Sequence, residues 1–138
     1  MAGYTELSSW TSVLSTALNS LANLAQAASG TITPPSSPSR PFYVDLRINL
    51  ASLNPSAGAS LSVHILPAVD NGPTNFADVT SLTLAAVVPL NTGAAAKYAY
   101  LEGLRCPVVP FRIALVNNAG LPLAASGNTV EYLTKTEG

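Results

Sequence analysis

The chain has 138 residues, enough for one domain around a single core. Only 9% of them are charged, against about 25% in an ordinary globular protein, and six Lys and Arg nearly cancel seven Asp and Glu. That near-neutral, dispersed charge excludes a phosphate backbone as partner, which requires clustered bases.

An apolar share of 48% leaves too few charges to cover a monomer, so part of the surface is expected to face another protein. Cys106 is the lone cysteine, which excludes an intramolecular disulfide and any multi-cysteine metal site. No basic segment precedes an apolar stretch near the start, where the first cation is Arg40, and no run reaches the roughly 18 apolar residues of a membrane span. The expectation is a protein made and used without export, with no membrane partner.

Residues 1–29 are rich in Ser, Ala, Leu and Asn. Leu7, Trp10, Leu14, Leu18, Leu21 and Ala25 recur at intervals of three and four, the spacing of a helical stripe. The many Ser, Thr and Asn residues weaken a helix. A short helix or irregular arm is therefore expected over 5–19, leading into a first strand. Residues 30–41 (GTITPPSSPSRP) hold four prolines and read as a stiff connector.

From Phe42 the period is two, and residues 42–138 read as the sandwich domain. Phe42, Val44, Leu46, Ile48 and Leu50 alternate with Tyr43, Asp45, Arg47 and Asn49, which predicts a strand. Leu61, Val63 and Ile65 predict a second, and residues 79–90 a third with Leu82, Leu84, Ala86, Val88 and Leu90 on one face. Further strands are expected around Tyr98 and Tyr100, over Phe111–Leu115, and over 129–135. Asn117-Asn118-Ala119-Gly120 reads as a hairpin turn. Seven or eight short strands with no helix between them predict an all-β fold, an antiparallel sandwich or jelly roll.

Chemistry-bearing residues are sparse. His64, the only histidine, would have to be the base of any triad, yet it lies mid-strand and reads as a polar-face residue. Asp70, Asn71, Asn75 and Asp78 could offer oxygen ligands to calcium, but Asp-Asn-Gly-Pro is itself a turn signal. Asp45 and Arg47 share a strand face and suit surface ion pairs, with each other or across strands, and Cys106 reads as a small apolar side chain. Tyr43, Tyr98, Tyr100 and Tyr132 suit either a sugar platform or a protein interface. The expectation is no enzyme, no catalytic residues, no metal and no cofactor. Leu7, Trp10, Leu14, Leu18, Tyr43, Tyr98 and Tyr100 are the candidate partner-binding residues.

The stretch FYVDLRINLASLNPSAGASLSVHILPAVDNGPTNFAD (42–78) resembles small virion proteins of tailed bacteriophages. It shares their cadence of an alternating strand, an N-P-x-A-G turn, a strand ending I-L-P and a D-N-G loop. PFRIALVNNAGLPLAASGNTV (110–130) looks like the same family's closing hairpin, and ELSSWTSVLSTALNSLAN is reminiscent of it too. The resemblance implies a jelly-roll capsid cement, or decoration, protein on the outer surface of the virion shell, present in the host cytoplasm during assembly. Its partners would be the major capsid protein and further copies of itself, a homo-oligomer with a dimer favoured. The alternatives are a tail or baseplate accessory protein and a carbohydrate-binding β-sandwich module.

Overall fold

The alternation that begins at Phe42 produces the longest strand, with Phe42, Val44, Leu46, Ile48 and Leu50 all buried on one side. Around it the computed structural model, which describes residues 4–6, 9–34 and 42–137, builds two antiparallel sheets. The strands are β1 (Tyr4–Glu6), β2 (Thr11–Leu14), β3 (Gln26–Ala28), β4 (Phe42–Leu53), β5 (Ser60–Pro67), β6 (Leu84–Pro89), β7 (Ala95–Arg105), β8 (Phe111–Asn118) and β9 (Thr129–Glu137).

One sheet runs β1-β9-β4-β7, with β2 following β1 along the same side of β9. The other runs β3-β8-β5-β6. Counting β1 and β2 as one interrupted edge leaves eight strands, within the expected seven or eight. The pairing is nested: β5 with β6, β4 with β7, β3 with β8, and the β1–β2 edge with β9. A long double ribbon paired in this way, then rolled so that β4 meets β9 and β5 meets β8, is a jelly roll.

The two sheets enclose one core. Phe42, Leu46, Ile48, Leu61, Val63, Phe111, Ile113, Leu115 and Val130 are among its buried members, and Phe42 and Phe111 meet with ring centroids 6.1 Å apart. Each such side chain contributes about 1.5–3 kcal/mol through burial.

The described residues among the first 34 are woven into this body. Among the described residues of 5–19 no α-helix forms; β1, β2 and a single 3-10 turn (Thr16–Leu18) lie there. A strand followed by a 3-10 turn reproduces the spacing between Leu14 and Leu18, and Ser and Thr disfavour the helix that would compete with it. Ile32, inside the expected connector, is buried and bridges to Phe111, while residues 35–41 lie outside the described set.

Two expected strand features change. The run over 79–90 is a strand only from Leu84, and a register shift between Val63 and His64 of β5 interrupts its alternation. Asn117–Gly120 does not close a hairpin, because β8 and β9 belong to different sheets. Instead the buried Asn117 side chain donates to the carbonyls of Leu21 and Leu121 at 3.0 and 2.9 Å and accepts from Ala119 N. Buried Asn128 works likewise, donating to Ala124 O and accepting from Ala51 N. These two amides staple the loops at one end of the sandwich.

Candidate interaction surface

Each sheet has its outward face partly covered by the chain itself. On the five-stranded sheet, Trp10 reaches from beside β2 to β4 and β7. The Arg47 guanidinium lies 4.0 Å over its ring, and Tyr100 meets it edge-on at 5.9 Å. Arg47 also pairs with Glu131 at 3.2 Å, so of the two expected arrangements, Asp45 with Arg47 or each across strands, it is the cross-strand one that forms.

Asp45 turns to Lys135 at 3.1 Å, and both residues are buried, at 3% and 6% exposure. The Asp45 carboxylate also accepts from Gly103 N at 2.8 Å and the Tyr100 hydroxyl at 3.2 Å. Gly103 presents that N–H because it sits in a β-bulge opposite Asp45 with φ +70°, a conformation suited to glycine. Burial pulls the Lys135 ammonium down, but hydrogen bonds and attraction to Asp45 and then Glu102 outweigh it and hold the group above its ordinary value. Burial, and then the Asp45 charge, push the Tyr100 hydroxyl up.

On the four-stranded sheet the segment between β5 and β6 folds back. His64 is buried, not exposed on a polar face, because Thr83 covers it with a 3.0 Å contact to Nδ1. That burial lowers its proton affinity, a hydrogen bond with the backbone of Thr80 partly opposing it. Cys106 is buried as expected, and burial pushes its thiol up to about 12. Asp70 has both carboxylate oxygens engaged by Thr74 and Asn75 at 2.6–3.1 Å. Its four donors make a turn brace rather than an open calcium ligand. Among the described residues, no three His, Cys, Asp or Glu side chains gather to hold a metal.

Among the described residues, none covers the side of the sandwich where β6 and β7 run next to each other. Each is the last strand of its sheet. Val88 and Leu90 meet Tyr98 and Ala99 at one end, and Leu84 and Ala85 approach Arg105 and Pro107 at the other. Along this seam Leu82 (95% exposed), Leu84, Val87, Tyr98 (77%) and Tyr100 face outward, and Val108 and Val109 follow just beyond β7. Two shallow grooves of about 360 and 460 Å³ indent it. An edge strand of eleven residues such as β7 is normally blunted by charge or proline. Here Lys97, Glu102 and Arg105 are the only charges along it.

The candidate partner-binding residues therefore divide. Tyr98 and Tyr100 stand on the open seam. Trp10 is half-buried against Arg47 and Tyr100, and Tyr43 is half-buried on β4. Leu14 and Leu18 are corrected to core residues: Leu14 takes the inward position of β2 and Leu18, fully buried, plugs the sandwich. Leu7 lies outside the described residues. Tyr132 packs against the core, and the 61° angle between Trp10 and Tyr100 does not make a flat sugar platform. Leu82, Leu84 and Val87 escaped the sequence reading because a strand through all of 79–90 would have buried Leu82 and Leu84.

No protein-family model matches the chain, and neither does any curated protein.

Proposed function

We propose that this chain is a structural protein of a virion, a cement protein that binds the outside of a tailed-phage capsid and bridges neighbouring major capsid protein subunits. The observation that carries the reading is the apolar, charge-poor seam along β6 and β7, two unpaired strand edges side by side. Exposed apolar bands of this kind mark protein–protein contact, and bare strand edges accept a further strand. The resemblance of residues 42–78 and 110–130 to phage cement proteins supplies the identity of the partner. The homo-oligomer expected from that resemblance belongs to the same proposal. Repetition over a shell lets individually weak contacts add through effective concentration.

The test is a pair of density maps of the particle, with and without this chain, followed by re-addition of variants. Leu82→Glu and Tyr98→Glu change exposed side chains and should leave the circular dichroism spectrum intact while lowering occupancy at least tenfold. Wild-type occupancy should survive a rise from about 0.1 to 1 M salt, since few charges line the seam and screening acts on charge. Full occupancy by both variants would remove the seam from the interface. Absence of extra density on the shell would remove the cement reading itself.

A further inference from the structure

The outward face of the four-stranded sheet holds a groove of about 480 Å³, which meets the 460 Å³ groove of the β6–β7 seam only at Ala77. Gln26 on β3 and the cross-strand partners Leu66 and Arg112 form its floor, and Asn75, Phe76 and Asp78 form its wall. That wall is preorganised. Ala68 bridges to Phe76, Val69 N donates to Asn75 O at 2.9 Å, and Ala77 N donates to Pro67 O at 2.9 Å. Asp70 gathers Thr74 and Asn75 through its carboxylate. Hydrogen bonds to Thr74 first, and then Asn75, hold that carboxyl down at about 2, so it stays ionised through the neutral range. A loop already ordered loses less entropy when a ligand arrives.

Among the described residues two buried side-chain atoms have no hydrogen-bond partner, Arg47 Nε and Arg112 Nε, and only Arg112 lines this groove. Its guanidinium lies 4.2 Å over the Phe76 ring, and its buried Nε has no partner. The ion pairs among the described residues do not include it, nor do they include Asp78 on the same groove. The lining thus combines donors on Arg112 and Gln26 with acceptors on Asp78 and on Asn75, whose amide nitrogen is already engaged by Asp70. The charges of Arg112 and Asp78 cancel, and the half-buried Phe76, Ala77 and Val79 add apolar surface. Mixed donors and acceptors of zero net charge beside an apolar patch match the hydroxyls and C–H face of a sugar ring. A free anion would instead meet Asp78. We infer that this groove is a binding site for a neutral sugar unit. The site stands apart from shell binding and is tested on the isolated chain.

Full-length protein labelled with ¹⁵N is titrated with galactose, glucose, mannose and N-acetylglucosamine, each to about 50 mM, which reaches weak affinities of about 1–10 mM. At least one sugar should give saturable amide shifts confined to residues 26–28, 66, 74–79 and 112. Arg112→Lys keeps the charge but loses the planar fork, and Asp78→Asn removes a carboxylate from the rim. Each should weaken binding at least fivefold without moving the thermal midpoint. If Arg112→Lys fails to fold, Asp78→Asn carries the test. No saturable shift with any of the four sugars overturns the inference, as do shifts centred on Tyr98 and Tyr100. Displacement of the sugar by equimolar inorganic phosphate would make the groove an anion site and overturn it as well.

Discussion

Asp45→Asn isolates one charge in the buried pair on the five-stranded sheet. Asparagine keeps an oxygen for Gly103 N, so the bulge retains its hydrogen bond while Lys135 loses its counter-ion at 3.1 Å. Neutralising one member of a buried pair costs about 3–5 kcal/mol. Glu102, at 3.4 Å but mostly exposed, returns what a surface pair gives, about 0–1 kcal/mol. The expected net loss is therefore ~2–5 kcal/mol. Urea unfolding followed by Trp10 fluorescence reads it, since Trp10 is the only tryptophan and lies against Arg47 and Tyr100. With a slope of about 2 kcal/mol per molar urea, the midpoint should fall by roughly 1–2.5 M. Adding Lys135→Met should restore most of the loss, because an apolar replacement removes the stranded charge. A loss below about 1 kcal/mol, or a double variant no better than the single, would show that Lys135 is not confined to the sheet face and refute the reasoning.

Leu18→Ala should cost ~2–5 kcal/mol as a truncation in the core, whereas Leu82→Ala should stay within about 0.5 kcal/mol; equal effects in denaturant melts would misplace both residues. His64 binds a proton less readily folded than unfolded, so stability is complete above pH ~6.5 and declines as pH falls below it. Thermal midpoints between pH 8 and 5 check this, and His64→Gln should flatten the decline. Asp70, held at about 2 against an ordinary 3.8, gives its loop stabilisation above pH 3.8 and loses it as pH falls through 2. Its carboxyl carbon should titrate near that lower value by NMR. Deleting residues 1–19 should unfold or precipitate the protein, because β2, Leu14 and Leu18 leave with the segment; a soluble, cooperatively melting truncation would contradict their place in the core.

Strands whose faces are plainly apolar on one side were legible from sequence. Val44, Leu46 and Ile48, Val63, and Phe111, Ile113 and Leu115 all occupy the core positions that alternation assigned them, with Ile65 packed at its margin. Where the pattern misled, the cause was local. The interval from Leu14 to Leu18 fits a helix, but a strand ending in a 3-10 turn gives the same interval, and only pairing with β9 decides between them. Slippage of β6 against β5 is a property of two strands and leaves no trace in either alone. His64 was read as exposed because nothing in its own neighbourhood announces that Thr83, nineteen residues on, folds over it. The exposure of Tyr98 and Tyr100 was legible because outward aromatic residues on an alternating strand are conspicuous. The seam they share with Leu82 and Val87 needed the topology that puts β6 beside β7.

The position of β9 has a consequence for folding. It lies between β4 and the β1–β2 edge, with Thr11 paired to Tyr132 across a long stretch of sequence. Until it inserts, both of those neighbours are open, bare strands inside what will become a sheet. Such long-range pairing is slow, and unfinished strand edges invite association with other chains. The segment Thr129–Glu137 therefore acts as the closing piece, so loss of even these nine residues should leave an aggregating chain rather than a slightly weakened fold.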